Sequence, residues 1–280
     1  MSIELPEVII LSRQMREHLI GKKIESYSLD NYEKLQRSGF FNKNISDYDE
    51  IIGKKIVDVL SIGIVIRIKL DKNSNLLLSP EMGGEIRYLT KTEKIPKQYH
   101  LLLRFSDESV LSIRLKGYGL IYFAKDNDLQ NVYVYCRDSE GLSPLSENFT
   151  EEVFHEELEK KDQYLKLALV GKSAAVMGFG NAGFQEIAHQ AKIHPKRRTS
   201  SLSRSEIKYL FKTINEVVKK RIEKGGKFEF SDLFGKNGEY IPSVGSHTRD
   251  KPCIVCGTTI ERMQFAGGPT YFCPICQVIE

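Results

Sequence analysis

Two Cys-x-x-Cys pairs stand near the end of the chain, Cys253 and Cys256 in CIVC and Cys273 and Cys276 in CPIC, with GTTIERMQFAGGPTYF between them. Four thiolates at this spacing, separated by a hairpin-length insert, can surround one tetrahedral metal ion. Such a set suits zinc, with an iron–sulfur cluster as the other occupant, and a site with no open position is structural. Metal binding then supplies folding free energy to a segment too short for its own core. The opposite end, MSIELPEV, offers a different chemistry. A terminal amine titrates at about pH 8 and can form an imine with an aldehyde. A third stretch, GFGNAG at 178–183, has G-x-G-x-x-G spacing. A dinucleotide fold needs a strand before it and an acidic residue about 20 positions later. Here the flanks read helical, and the later position falls in TSSLS. The stretch reads instead as an interhelical turn. Its backbone amides at Gly180 and the side chain of Asn181 either meet a phosphate or simply cap the turn.

These groups need elements to hold them. Pro6 suits a first helical turn and Glu7 its positive end; Val8, Leu11, Met15 and Leu19 recur at helical spacing, and Gly21 can end the helix. A β-rich half follows. Ile62, Ile64, Ile66, Ile68 and Leu70 alternate with Gly63, Val65, Arg67 and Lys69, which predicts one strand. DKNSN reads as a turn and LLLS as the next strand; LLLRFSDESVLSIRL reads as a hairpin turning at Ser106–Ser109; GLIYFAK and NVYVYC read as two more strands. Many strands with short turns argue for a sandwich or barrel. Near residue 148 the character changes. ENFTEEVFHEELEKK, YLKLALVGKSAAVMGFG, GFQEIAHQAK and SRSEIKYLFKTINEVVKKRIEK all read as helices. In the last, Ile207, Leu210, Phe211, Ile214, Val217, Val218 and Arg221 share one buried face, with a basic face outside.

At 280 residues and 41% hydrophobic content, the chain is long enough for about two domains. The formal charge of +4 says little, but basic residues crowd Lys192–Lys227, opposed only by Glu206, Glu216 and Glu223. That fits a polyanion on one face, or a solvated basic helix. No stretch approaches the roughly 20 apolar residues of a membrane span, and the start lacks a basic-then-apolar signal pattern. A cytoplasmic protein is expected, with Cys136 as a lone thiol.

In order, ELPEV, the β-rich middle, GFGNAGFQEIAHQAKIHPKR, SSLS with its long helix, and TYFCPICQ resemble the formamidopyrimidine-DNA glycosylase and endonuclease VIII family of base-excision repair enzymes. The resemblance covers nearly the whole chain. It implies an α+β protein: a β-sandwich with a leading helix over 1–148, a helix-two-turn-helix domain over 149–240 and a zinc-finger hairpin over 241–280. It further implies structural zinc on Cys253, Cys256, Cys273 and Cys276, and double-stranded DNA, damaged or distorted, held in a cleft by a monomer. In this family a terminal proline attacks the sugar C1′, and the glutamate after it handles protons. Glu4 matches that glutamate and Glu7 the second one, while Ile3 takes the proline's place. With Met1 removed, the Ser2 amine lies one residue upstream, about 3.5 Å of chain away. Ser2 and Glu4 are thus the candidate catalytic residues.

Other positions depart from the family. Its DNA-contacting lysine corresponds to Ile64, a histidine to Ser79, and the zinc-finger arginine to Gly268. Asn181 matches the asparagine that grips phosphates beside the lesion. Met82 matches an intercalating methionine, Lys116 stands at an arginine wedge and Tyr118 at a phenylalanine; core packing is the plainer role for Met82 and Tyr118. Two functions follow from this mixture. The first is recognition of damaged duplex, with lyase activity lost or altered. The second is an active glycosylase or abasic-site lyase using the Ser2 amine or water activated by Glu4. A zinc-stabilised binder of protein or RNA is a third. A bacterial protein of this kind is expected at the nucleoid.

Overall fold

The computed structural model describes residues 3–81, 83–170 and 174–279. The expected sites Ser2 and Met82 therefore lie outside the described residues. The chain divides into two compact units, Met1–Cys136 with Lys224–Glu239, and Arg137–Glu223 with Tyr240–Glu280.

In the first unit, α1 (Leu5–Leu19) opens with the Val8 N–H donating to the Glu4 carbonyl at 3.1 Å. Pro6 falls in the first turn, where its missing N–H has no intrahelical partner to lose. Val8, Leu11, Met15 and Leu19 are all buried, as their spacing predicts. Gly21, at φ +82°, lets the chain reverse after the helix. Two antiparallel four-stranded sheets follow. One has the order β1 (Ile24–Leu29), β6 (Leu101–Phe105), β7 (Val110–Arg114), β5 (Glu85–Leu89). The other has the order β2 (Ile56–Ile62), β3 (Val65–Leu70), β4 (Ser74–Ser79), β8 (Leu120–Lys125). Ile24, Leu103 and Ile113 of the first sheet share one core with Ile66, Ile68, Leu78 and Phe123 of the second and with the apolar face of α1. This is the expected sandwich with its leading helix.

Two elements differ from the sequence reading. The single strand expected over 62–70 is broken by a turn at Gly63–Ile64, and Ile62 pairs with Val65. Gly63 supplies the positive φ, +53°, that a two-residue hairpin turn requires. NVYVYC is not a strand; Tyr133 starts α3 (Tyr133–Glu140). Its β-branched and aromatic residues suggested a strand. The three-residue spacing of Leu129, Val132 and Tyr135 decides instead, placing them together against Val65, Leu77 and Ala124.

In the second unit, α4 (Glu151–Glu159) is capped by Thr150, whose Oγ1 accepts from the Val153 N–H at 3.2 Å. Next come α5 (Leu165–Val170), α6 (Asn181–Gln190), α7 (Arg204–Glu223) and the hairpin β9 (Glu261–Phe265) and β10 (Gly268–Phe272). The helix expected through 180 ends at Val170, and 175–178 are bends. Gly178 takes φ +91°, which a continuing helix excludes. The buried face of α7 is as expected at Ile207, Leu210, Ile214, Val217, Val218 and Arg221, with Phe211 half-buried. The basic run is less outward-facing than its sequence suggests. Arg197, Arg221 and Lys227 are interior, and Arg197 Nη1 pairs with Glu206 at 3.2 Å. Among the described residues no helix is long and apolar enough to cross a membrane.

Candidate active site and nucleic-acid interface

The start of α1 is built around a buried carboxylate. Glu7 is fully buried, and its Oε2 accepts from the Glu4 N–H at 3.2 Å. Its Oε1 accepts from the Lys227 N–H, also at 3.2 Å. One side chain thus ties the first helical turn to the Lys224–Glu239 segment. The approach is close because position 226 has no side chain: a Cβ on Gly226 would lie 2.5 Å from Phe230 Cδ1 and 3.2 Å from Glu7 Cγ. Beside this junction lies a cavity of about 140 Å³, lined among others by Ile3, Glu7, Lys116, Lys227, Glu229 and Phe230. Ile3 is packed into the sandwich core at 7% exposure. Glu4 is buried too, at 1%.

Ile64 sits in the β2–β3 turn, and Ser79 ends β4. The Ser79 hydroxyl is buried and has no hydrogen-bond partner among the described residues. Lys116 and Tyr118 face each other across a tight loop as an isolated bridge. The Lys116 ammonium pairs with Glu85 Oε1 at 3.1 Å, which offsets its charge. Tyr118 is 59% exposed, with its ring edge-on to Phe40 at 5.6 Å. Exposure on this scale sets aside core packing as its role. The loop is held by Gly119 at φ +150°, where a Cβ would come within 2.4 Å of the Ser79 carbonyl oxygen.

In the second unit, Gly180 is the N-cap of α6 and Asn181 its first residue. The first-turn amides of a helix have no intrahelical acceptors and carry partial positive charge. The Asn181 Oδ1 is buried without a partner among the described residues. Its Nδ2 lies 3.1 Å from where a Cβ on Gly268 would stand. The fold therefore places position 268 directly beside Asn181. Lys166 is buried next to this turn. Its Nζ donates to the Phe265 carbonyl at 2.6 Å and to Thr270 Oγ1 at 3.0 Å, and desolvation lowers its pKa.

The four cysteine sulfurs all lie within 4.8 Å of one another. Cys256 and Cys273 are 3.4 Å apart and Cys253 and Cys276 3.9 Å. A tetrahedron of 2.3 Å zinc–sulfur bonds has edges of about 3.8 Å, so the set fits zinc as it stands. Hydrogen bonds from the Thr258 hydroxyl and N–H bring the Cys256 thiol down to about 6, while burial raises the thiols of Cys273 and Cys276. The site is a structural zinc centre. A buried polar chain joins it to α6: His189 Nε2 lies 3.3 Å from Cys253 Sγ and its Nδ1 2.8 Å from Ser243 Oγ. Ser243 donates through both N–H and hydroxyl to Glu186 Oε2 at 2.7 Å, and the Tyr240 hydroxyl donates to Glu186 Oε1 at 2.7 Å. Sequence reasoning missed this chain and Lys227. The signals present were the three-residue spacing of Glu186 and His189 on one helix, and the lysine directly after Gly225–Gly226.

Three family models match the chain. They are the formamidopyrimidine-DNA glycosylase N-terminal domain over residues 3–115, that glycosylase's H2TH domain over 141–231, and a zinc finger found in FPG and IleRS over 250–278. A formamidopyrimidine-DNA glycosylase of Lactococcus lactis is 28% identical over 98% of both chains. One of Mycoplasmopsis pulmonis is 29% identical over 98% of this chain and 97% of its own. Among solved structures, the Lactococcus lactis Fpg bound to abasic-site DNA superposes with a TM-score of 0.85 at 26% identity, covering 99% of this chain and all of that one. MutM in complex with DNA containing carbocyclic 8-oxo-G gives 0.84 at 27% identity, with coverage of 99% and 100%.

Proposed function

The chain belongs to the formamidopyrimidine-DNA glycosylase family, and we propose that it recognises damaged double-stranded DNA without the family's terminal-proline chemistry. The observation that carries this is Ile3: the residue at the nucleophile's place is an internal, core-packed aliphatic side chain. An amide nitrogen inside the chain cannot form an imine. Ile64, Ser79 and Gly268 stand where the family has cations or a titratable ring, and each lost cation removes a charge-assisted phosphate contact.

Binding has more support. Tyr118 is exposed and aimed from a rigid loop, so its ring can fill the gap left by an extruded base. Gly180 and Asn181 present a helix N-terminus and a side-chain amide to a phosphate. Lys116 and Met82 complete the proposed contact set. Abasic and oxidised-base duplexes are the substrates that the neighbours' structures contain, and they are the first to test here.

A second reading keeps base excision or lyase action through the Ser2 amine or water activated by Glu4. It is favoured by the retention of Glu4 and Glu7, both buried at the start of α1. The two readings part on one experiment. Strand cleavage of an abasic duplex is compared for the tag-free protein and for a form extended by two residues at its N-terminus. Equal cleavage is expected. Loss of cleavage on extension contradicts the proposal and assigns the nucleophile to Ser2; base release from an oxidised-base duplex that survives extension but is lost in Glu4→Gln assigns excision to activated water.

A further inference from the structure

We propose that the side-chain amine of Lys227 is an imine-forming nucleophile for abasic sites in this chain, in place of the missing terminal proline; the inference rests on the damaged-DNA reading above. Lys227 is 3% exposed and lines the same 140 Å³ cavity as Ile3. A lysine is costly to bury, so its placement beside Ile3 and Phe230 calls for a role. Balancing the Glu7 and Glu229 carboxylates is the plain one, and the test below separates the two.

The geometry favours chemistry. The Lys227 N–H is fixed to Glu7 Oε1, and Glu7 Oε2 is fixed to the Glu4 N–H. Lys227 is therefore anchored one carboxylate away from the residue that follows the nucleophile's place. Gly225 and Gly226, at φ +67° and +92°, hold the turn just before it, and a Cβ at 226 would strike Phe230 and Glu7. The backbone that carries the Lys227 side chain is thus pinned. Glu7 and Glu229 line the same cavity.

The steps balance. The Lys227 ammonium first gives up one proton to solvent; the Nζ lone pair then attacks C1′ of the ring-opened abasic aldehyde, and the carbonyl oxygen leaves as water with the two remaining amine protons, giving a protonated imine after one proton is taken up. A carboxylate removes a C2′ proton, the freed electron pair forms C1′–C2′ and then C2′–C3′ unsaturation, and the C3′–O bond breaks with release of the 3′ phosphate. Water then hydrolyses the imine and returns the lysine. Added borohydride instead delivers hydride to the imine carbon and fixes it as a secondary amine.

The test uses the full-length, zinc-loaded protein and an abasic-site duplex. The borohydride-trapped complex is digested, and the adduct is mapped by mass spectrometry; the expected place is Lys227. Lys227→Arg keeps the charge and is expected to lower trapping by at least about a hundredfold, with the affinity for a tetrahydrofuran-site duplex changed by less than about threefold. An adduct on the terminal amine, undiminished trapping in Lys227→Arg, or no wild-type adduct despite intact duplex binding each overturns the proposal. Absence of duplex binding by the wild type overturns the DNA reading itself, and this inference with it. Mapping the wild-type adduct decides the matter even where the variant fails to fold.

Discussion

Gly268→Arg should add a phosphate contact beside Asn181. Position 268 opens β10 beside Asn181, and its backbone is not in the left-handed region, so a side chain meets no backbone strain. The new Cβ would stand 3.1 Å from Asn181 Nδ2 and 3.9 Å from its Cγ, so the amide must yield by a few tenths of an ångström. The Lys166 hydrogen bonds to the Phe265 carbonyl and Thr270 Oγ1 do not involve the new side chain. A charge-assisted hydrogen bond contributes about 1.5–3 kcal/mol. Ordering an arginine costs up to about 2 kcal/mol, part of it already lost against Asn181. A net gain of about 1 kcal/mol is expected, which is roughly fivefold in affinity. One more phosphate contact should also steepen the plot of log K against log salt by about 0.9. Fluorescence anisotropy with a lesion-containing duplex between 50 and 200 mM salt, about the range over which such slopes are read, measures both. A folded Gly268→Arg protein with an unchanged slope would refute the reasoning, because no phosphate could then pass beside Asn181.

Three further outcomes follow from the structure. Removing zinc with a chelator should expose Cys253, Cys256, Cys273 and Cys276 to a thiol reagent and open 250–278 to protease; ready reaction of all four before chelation would contradict a closed site. Tyr240→Phe removes a donor from buried Glu186 and should cost about 1–2 kcal/mol, read as a lower thermal midpoint; an unchanged midpoint would mean that the carboxylate finds another donor at no cost. Partial burial alone would raise the Asp107 carboxyl, but hydrogen bonds from Lys22 and from the Ser109 hydroxyl and N–H outweigh it and hold it down to about 2. Its folded-state pKa lies below the unfolded value of about 3.9, so its contribution is complete above that pH and is lost as pH falls toward 2. Asp107→Asn should flatten the acid end of the stability–pH curve, and an identical curve would show that the pairing is too solvent-screened to matter.

What could be read from sequence was whatever repeats at a fixed local spacing. The cysteines announced their site because two Cys-x-x-Cys pairs a hairpin's length apart have few other uses. The buried face of α1 and that of α7 followed from a period near four. The hairpin at Ser106–Ser109 followed from turn residues between two apolar runs. The failures share one cause, which is that local composition does not record what an element packs against. NVYVYC looked like a strand until Leu129, Val132 and Tyr135 met a surface that accepts every third residue. Gly63 looked like one alternating position until it supplied a turn. Lys227 and the chain from Glu186 through His189 to Cys253 are made by residues more than fifty positions apart, and no local pattern brings them together.

The most direct measurement is a pair of binding isotherms, for a duplex with one tetrahydrofuran abasic-site analogue and for the same duplex undamaged, recorded at one fixed moderate salt with the zinc-loaded protein. The account predicts at least about tenfold tighter binding to the damaged duplex, with the preference reduced in Tyr118→Ala, since an exposed aromatic that fills the gap is worth about 1–3 kcal/mol. Equal affinity for the two duplexes, or no binding to either, would contradict it.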